Sequence, residues 1–505
     1  MTAISESRAI QKRFYLVFLL TLLFKLFIAA TIPITGDEAL FIVWARDLAW
    51  GYYDHPPMIG WTLALVMEVS SSLSAVRMPA VLSNHLIALG LIYLIQRFGG
   101  DSERAYMVGM IYVLLPISVL NVLVTNDTTL MVFLFASLFC FLLSLLSNSK
   151  SSNRTLHRYG LASLAGIFVG MAFLSKYLAV IVLIPYVVIS FKEGRWKELV
   201  ALLASAFPFA LINFLWNMNS CWQNFQFNFV NRLEDKVMPW VGLPMYAATL
   251  LYLLTPWLVY FLWKNRKAIA GYFPLATMAF IPIFLFALLS LRQLIGLHWI
   301  PILIPSVMVL LGLTASQLQL TKSIRWNAYF TAPHAILILV LILAPMSTWQ
   351  GLKIYDKFSL LKYSDAVSKV AVSDMPQGAT LMTKGYSTSA IFAYYLDQAV
   401  PVFGVGSKFG RHDDLNTDFK ALDGKAIRIF DNSPINLDNF SPYFADVKLG
   451  SFTYLGVQYW VVDGSGFQYE NYRTGVLQKI ADRFYQIPNF LPAGQCHFLK
   501  HYGLR

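Results

Sequence analysis

Long apolar segments recur along the first two thirds of the chain and are separated by short polar connections. A helix rises about 1.5 Å per residue, so about 20 apolar residues cross the ~30 Å hydrocarbon core of a bilayer. The pattern predicts a mainly α protein, a polytopic helix bundle of about eleven spans, or twelve to thirteen if weaker apolar stretches also cross. The predicted spans are residues 14–34, 77–97, 105–124, 128–147, 159–175, 177–191, 199–217, 240–263, 270–291, 299–316 and 327–348.

The connection 35–76 is too apolar for a simple loop. It contains two moderately apolar stretches, 40–50 and 58–73, on either side of a proline turn. In the first stretch, aromatic and leucine residues recur at helical spacing, which is typical of an amphipathic helix lying in the membrane interface. The second is an interfacial helix or a further span. The interfacial assignment is preferred, because an extra crossing would invert every later connection.

The composition becomes that of a soluble protein after Trp349. Short apolar runs at 379–382, 426–430 and 459–462 predict strands, and 387–396 and 472–484 predict helices. The chain is therefore divided into a transmembrane catalytic domain, residues 1–349, and a small α/β domain, residues 350–505.

Composition and charge agree with a membrane protein. Hydrophobic residues make up 57% of the chain and charged residues 13%, against roughly 25% charged in soluble proteins. The basic residues behind the net charge of +12 are unevenly distributed between the two sides of the membrane. The connections on the side of the N-terminus hold sixteen basic residues, and those on the other side hold six. By the positive-inside rule the N-terminus is cytoplasmic, and the C-terminal domain lies outside the cytoplasm. No nucleic-acid partner is predicted.

Unusual polar groups collect at the outer ends of the predicted spans. Ionisable groups at membrane depth are costly and mark ligand or reaction sites. Turns also attract such residues simply because water is present, and this alternative stays open for most of them singly; their presence together on one face favours a site. The residues are Asp37, Glu38, Asp54, His55, Asn126, Asp127, Lys176, Tyr177, Arg292 and His298.

Two of these groups have a recognisable local setting. Asp37 follows the first span and precedes the predicted interfacial helix, so it is expected to cap that helix as well as to serve in chemistry. Pro56 and Pro57 hold Asp54 and His55 in an extended turn rather than in a helix.

Together the motifs resemble the bacterial integral-membrane glycosyltransferases of the GT-C class. The motifs are Asp37-Glu38, Tyr53-Asp54-His55-Pro56-Pro57, Asn126-Asp127-Thr128 and Ser175-Lys176-Tyr177. The nearest groups are the dolichyl-phosphate-mannose protein mannosyltransferase-like family and the lipid A aminoarabinose transferases, and the resemblance covers about residues 12–350. One departure concerns the proline turn, where the aminoarabinose enzymes carry Glu-Lys-Pro-Pro. Transfer of aminoarabinose itself is therefore not expected.

The resemblance implies a multi-pass enzyme of the bacterial inner membrane, with its C-terminal domain extracytoplasmic. Its donor would be a monosaccharide on a polyprenyl-phosphate lipid carrier, and transfer would proceed with inversion. The expected acceptor is lipid A or another envelope glycolipid, with a secreted protein as the alternative. A lipid-linked sugar flippase or transporter is the competing class, although transporters place their charged sites near the bilayer midplane.

The resemblance also implies roles for individual residues. Asp37 would be the general base and Asp127 a second carboxylate beside the sugar. Lys176 and Arg292, with His55 if protonated, would neutralise the departing phosphate. The remaining substrate-binding residues would be Glu38, Asp54, Asn126, Tyr177 and His298.

Several questions stay open from the sequence. Because related enzymes sometimes bind a divalent metal, the resemblance leaves open a metal held by Asp54, His55 and His298, and its requirement is undecided. His497 and His501 lie four residues apart in a predicted terminal strand, where they would not converge on a metal. The predicted topology places two of the three cysteines, at positions 221 and 496, outside the cytoplasm, and whether they pair stays open. The sugar and the oligomeric state are not specified.

Overall fold

The computed structural model describes residues 2–146, 152–231, 238–352, 354–492 and 494–504. Within this part of the chain eight helices are long and apolar enough to cross a membrane. They are Ser7–Thr31, Leu73–Arg97, Asn126–Leu146, Thr155–Phe173, Trp196–Asn219, Phe273–Ser290, Leu297–Thr314 and Gln317–Leu343. The helices Pro239–Leu254 and Pro256–Lys264 make a ninth candidate, bent by 89°.

All eleven predicted segments contain helix, but three of them are interrupted: 240–263 contains the bent pair, and 105–124 and 177–191 are each divided in two. Helix Ser102–Val113 ends before Pro116, whose ring and missing N–H break the hydrogen-bond ladder, and a short helix Pro116–Leu120 follows. The segment 177–191 begins with a 3₁₀ turn, Tyr177–Val182, and continues as helix Leu183–Lys192. By length, the described residues therefore offer eight or nine crossings, fewer than the eleven predicted.

The chain forms two compact units, and each unit is made of three segments that are separate in sequence. The first contains residues 1–32, 66–212 and 235–343, and the second contains residues 33–65, 213–234 and 344–505. The first connection and the segment 213–234 therefore group with the C-terminal residues.

Buried cations secure the start of the first unit. Arg77 is fully buried, and its guanidinium donates to the carbonyls of Ala29 (2.9 Å) and Ile32 (2.7 Å) at the end of the first helix. Those carbonyls have no partner within the helix, so Arg77 serves as a C-terminal cap. Lys25 donates to the side-chain oxygen of Asn84 at 3.2 Å.

The second unit contains a four-stranded sheet with order β1-β2-β4-β3. The strands are β1 (Thr380–Thr383), β2 (Ile427–Asp431), β3 (Phe444–Tyr454) and β4 (Val457–Phe467). β1 and β2 are parallel, and the other pairs are antiparallel. The three predicted strands correspond to β1, β2 and part of β4. The edge strand β3 escaped prediction because most of its side chains are exposed or half-exposed, and polar residues interrupt its apolar ones.

The helices of this unit include Gly36–Arg46, Tyr386–Leu396 and Gln478–Phe484. A helix, His497–Tyr502, also replaces the predicted terminal strand, so that prediction was wrong. Cys221 and Cys496 form a disulfide that joins the segment 213–234 to this C-terminal helix.

Candidate active site

Asp127 and Lys176 form an ion pair in the first unit. Asp127 lies in the first turn of helix Asn126–Leu146, where the helix dipole favours a carboxylate. Its Oδ1 accepts a hydrogen bond from Lys176 Nζ at 2.8 Å. Lys176 has an extended backbone directly before the 3₁₀ turn Tyr177–Val182. Its side chain is 8% exposed and that of Asp127 18%, so the pair is largely shielded from water.

Two neighbouring rings complete this cluster. Trp299 Nε1 donates to His298 Nε2 at 2.8 Å. The same Nε2 lies 3.9 Å from Asp127 Oδ2, so the imidazole stands beside the ion pair. The Trp299 ring centroid lies 5.6 Å from Lys176 Nζ, within cation–π range. At Gly296 an added Cβ would lie 2.6 Å from His298 Cε1, so only glycine leaves the imidazole in this position.

The other predicted residues of this unit differ in their closeness to the ion pair. Asn126 is buried, and its carbonyl accepts from Thr129 Oγ1 at 3.0 Å. Tyr177 adjoins Lys176 in sequence, and its ring lies 5.2 Å from that of Phe173. Arg292 is exposed and makes no ion pair with the described residues. The structure thus brings Asp127, Lys176 and His298 together and does not bring Arg292 into the cluster.

In the second unit, helix Gly36–Arg46 begins with a capping box. Thr35 Oγ1 accepts from the Glu38 backbone N–H at 3.4 Å, and Glu38 Oε2 accepts from the Thr35 backbone N–H at 3.2 Å. The expectation that Asp37 is the N-cap was therefore wrong. Thr35 caps the helix, and the buried Glu38 closes the box, which leaves Asp37 exposed in the first turn.

Asp37 is held from the C-terminal part of the same unit. The Tyr386 hydroxyl donates to Asp37 Oδ1 at 3.0 Å. Burial, and secondarily the charge of Asp37, raise the pKa of Tyr386 to about 12, which keeps this hydroxyl protonated and able to donate. At Gly36 an added Cβ would lie 2.9 Å from Ser387 Cα and closer still to its Oγ. Glycine at this position lets helix Gly36–Arg46 approach helix Tyr386–Leu396.

The proline turn is also tied to the C-terminal part of this unit. Asp54 is buried; its Oδ2 accepts from the Gly410 backbone N–H at 3.3 Å, and its carbonyl accepts from Asn228 Nδ2 at 3.1 Å. Gly410 has a φ of +63°, and an added Cβ there would overlap the Tyr386 ring. The turn is closed by a hydrogen bond from the Tyr52 backbone N–H to the His55 carbonyl, 3.0 Å long.

Sequence reasoning missed several partners of the predicted residues. Trp299 follows His298 directly, and an indole beside a candidate histidine is a signal that could have been used. Tyr386 lies 349 residues from Asp37, and no local pattern connects them. Within the described residues, no three His, Cys, Asp or Glu side chains are grouped so as to hold a metal ion. His497 and His501 adjoin each other on the C-terminal helix, and His501 Nε2 lies 3.0 Å from Asp418 Oδ1.

Comparison with known proteins links the chain to membrane glycosyltransferases. Residues 54–216 match the model of the dolichyl-phosphate-mannose-protein mannosyltransferase family. A lipid A galacturonosyltransferase, RgtD of Rhizobium johnstonii, is 29% identical over 189 residues, which is 36% of this chain. The match spans only 38% of the length of RgtD.

Solved structures extend the likeness to nearly the whole fold. The apo structure of ArnT from Cupriavidus metallidurans matches with a TM-score of 0.65 at 15% identity, covering 90% of this chain and 98% of ArnT. The structure of ArnT bound to undecaprenyl phosphate matches with a TM-score of 0.63 at 16% identity, covering 89% and 97%. The predicted fold class, a polytopic helix bundle of GT-C type with a small α/β domain, is confirmed, as is the predicted resemblance to GT-C glycosyltransferases.

Proposed function

We propose that this multi-pass membrane protein transfers one sugar from a polyprenyl phosphate to a cell-envelope acceptor on the outer face of the bacterial inner membrane. The observation that carries the proposal is the exposed carboxylate of Asp37, held on one oxygen by Tyr386. Two comparisons support it: the shared fold with ArnT, which binds undecaprenyl phosphate in one of its structures, and the partial match to RgtD.

Asp37 is the group to which we assign activation of the acceptor. Its Oδ2 has no hydrogen-bond partner within the described residues, so it is available to take the proton of an acceptor hydroxyl. The acceptor oxygen attacks the anomeric carbon from the face opposite the phosphate. The bond from that carbon to the phosphate oxygen breaks, and its electron pair leaves with the polyprenyl phosphate. One displacement of this kind inverts the anomeric configuration.

Lys176 is the group to which we assign the donor phosphate. A charge-assisted hydrogen bond from its ammonium strengthens as negative charge develops on the leaving phosphate. Asp127 fixes the ammonium through the 2.8 Å bond, and Trp299 lies beside it, so little reorganisation is needed. We further assign to Asp127 the placement of the sugar. Arg292, which is exposed, would add positive charge without belonging to the hydrogen-bonded cluster.

The preferred acceptor is lipid A or another envelope glycolipid, because the curated relative is named for lipid A. A secreted protein is the second candidate, favoured by the family model over residues 54–216.

Mass spectrometry of lipid A and of the glycoproteome, in a strain lacking the protein, separates these acceptors. We expect lipid A to lose the mass of one sugar, with recovery on expression of the wild type and none with Asp37→Asn. A mass change confined to glycoproteins would instead identify a protein acceptor. If uptake of a labelled sugar lipid survived Asp37→Ala while no donor gave transfer, a transporter would replace the enzyme.

A further inference from the structure

We propose that the first unit binds one anionic phospholipid in a cavity beside the bend between helices Pro239–Leu254 and Pro256–Lys264, with the lipid phosphate at Arg266. The cavity has a volume of about 490 Å³, within the ~300–1,000 Å³ range of small-molecule sites. This inference needs only a membrane protein and does not rest on the proposed glycosyl transfer.

The bend explains why a cavity forms here. Thr255 adopts a φ of +62°, unusual for a β-branched residue, and Pro256 has no N–H with which to continue the ladder of the first helix. The two helices therefore diverge by 89°. The apolar walls of the space between them and their neighbours include Leu254, Val259, Ala276, Phe280, Ile283 and Val307. Such walls suit an acyl chain.

One end of the cavity is cationic. Arg266 lines it together with Trp263; the guanidinium lies 4.8 Å from the indole centroid and donates to the Trp263 carbonyl at 3.1 Å. These contacts orient the guanidinium, whose planar fork suits a phosphate. Lys264 and Lys267 are exposed beside it, and none of these three cations pairs with an acidic side chain in the described part of the chain. Among the described residues, none that lines the cavity is acidic.

The apolar walls of the cavity and the positive charge at one end together indicate the class of lipid. Basic pockets between transmembrane helices bind anionic head groups, which are abundant in the cytoplasmic leaflet. The connection 264–272 lies on the predicted cytoplasmic side by its basic charge. A zwitterionic head group would bring its own ammonium towards Arg266 and the two lysines, and the like charges disfavour it. We therefore assign the site to an anionic glycerophospholipid.

Native mass spectrometry of the purified full-length protein tests the assignment, with phosphatidylglycerol and phosphatidylethanolamine of identical acyl chains added in turn. We expect the wild type to retain one phosphatidylglycerol in preference to phosphatidylethanolamine. Arg266→Gln should reduce that preference roughly tenfold, because one charge-assisted contact to the phosphate is lost. Ala276→Phe, which fills the cavity, should abolish retention of phosphatidylglycerol.

Matched controls lie outside the cavity. Arg325→Gln removes an exposed arginine on the same predicted side, and Ala247→Phe adds a ring on the exposed face of helix Pro239–Leu254. Both should retain the lipid as the wild type does. If Ala276→Phe does not fold, Ala270→Phe fills the exposed end of the cavity instead.

Two results would overturn the inference: equal retention of the two phospholipids by the wild type, or undiminished phosphatidylglycerol in the folded cavity-filled variant. Undecaprenyl phosphate offers a further comparison. If Ala276→Phe lost undecaprenyl phosphate but kept phosphatidylglycerol, the cavity would belong to a polyprenyl chain and the assignment would be wrong.

Discussion

Asp37 and Tyr386 test the proposed chemistry at the scale of single residues. Asp37→Asn keeps the shape of the side chain and an oxygen for the Tyr386 hydroxyl, but an amide does not take up a proton. We expect the turnover number to fall by about 10²–10⁴-fold, the typical contribution of a general base, with unchanged thermal stability. Turnover would be measured with purified protein and a labelled polyprenyl-phosphate sugar.

Tyr386→Phe is the companion variant, because it removes the 3.0 Å hydrogen bond and leaves the carboxylate. We expect a smaller loss of turnover with an unchanged KM for the donor. Near-normal turnover of Asp37→Asn would remove Asp37 from the proposed role, whatever the result for Tyr386→Phe.

Lys176 is harder to test alone, because it is paired with Asp127. Lys176→Met would leave a largely buried carboxylate without its 2.8 Å partner, which lowers stability independently of any substrate. The double variant Lys176→Met with Asp127→Asn removes both charges. We expect the double variant to recover thermal stability while its KM for the donor stays above that of Asp127→Asn alone, as binding of the donor phosphate by Lys176 requires.

Recovery of the donor KM together with the melting temperature would show that Lys176 acts only through its ion pair. Arg292→Ala is the matched comparison without that complication, because Arg292 is exposed and unpaired among the described residues. It should raise the donor KM modestly and leave the melting temperature unchanged.

The sequence identified the candidate polar residues, but it did not predict which of them lie in contact with one another. Chain order and charge placed Asp127, Lys176 and His298 on one face, and the structure groups these three. The tyrosine that holds Asp37 comes from a segment 349 residues away. Hydrogen-bond partners at such separation depend on tertiary packing, which hydrophobic periodicity does not encode.

Gly36 carries a prediction at the scale of elements. An alanine there would place its Cβ 2.9 Å from Ser387 Cα, a backbone atom that cannot rotate away. Helices Gly36–Arg46 and Tyr386–Leu396 would have to separate, at a cost of about 1–3 kcal/mol, the usual range for overpacking. We expect Gly36→Ala to lower the melting temperature and to lower turnover by moving Tyr386 from Asp37.

Gly385→Ala provides the control at the N-cap of helix Tyr386–Leu396. An added Cβ at Gly385 meets no heavy atom within 4 Å, and its φ of −141° is open to alanine. Because alanine caps a helix less well than glycine, we expect a small decrease in melting temperature and an unchanged turnover. Equal melting temperatures and equal turnover for the two variants would contradict a close approach at Gly36.

Prediction of the elements succeeded where apolar residues are continuous and failed where they are mixed. The buried strand β2 and the long helices were found from their apolar runs. β3 was missed because it forms the edge of the sheet and mixes polar with apolar side chains, so its pairing with β4 decides its structure. The helix start was misplaced because Thr35, two residues before Asp37, makes the cap.

At the scale of the whole molecule, the composition changes after Trp349, whereas the second compact unit also includes segments from earlier in the chain. Residues 33–65 and 213–234 join residues 344–505 in one unit. Both segments adjoin apolar spans, and composition alone therefore assigns them to connections of the bundle. The disulfide between Cys221 and Cys496, which are 275 residues apart, links the segment 213–234 covalently to the C-terminal part of the same unit.

That disulfide allows the proposed orientation in the membrane to be tested. Disulfides persist outside the reducing cytoplasm, and the sixteen basic residues on the opposite connections predict the same placement for this unit. In intact spheroplasts, a membrane-impermeant maleimide should label Cys221 and Cys496 after mild reduction and leave them unlabelled without it. Cys140 is buried in helix Asn126–Leu146 and serves as the internal control that stays unlabelled in both cases.

Labelling that required lysis of the spheroplasts would place this unit in the cytoplasm. The proposed outer-face reaction would then be wrong, because Asp37 and Tyr386 belong to the same unit as the disulfide.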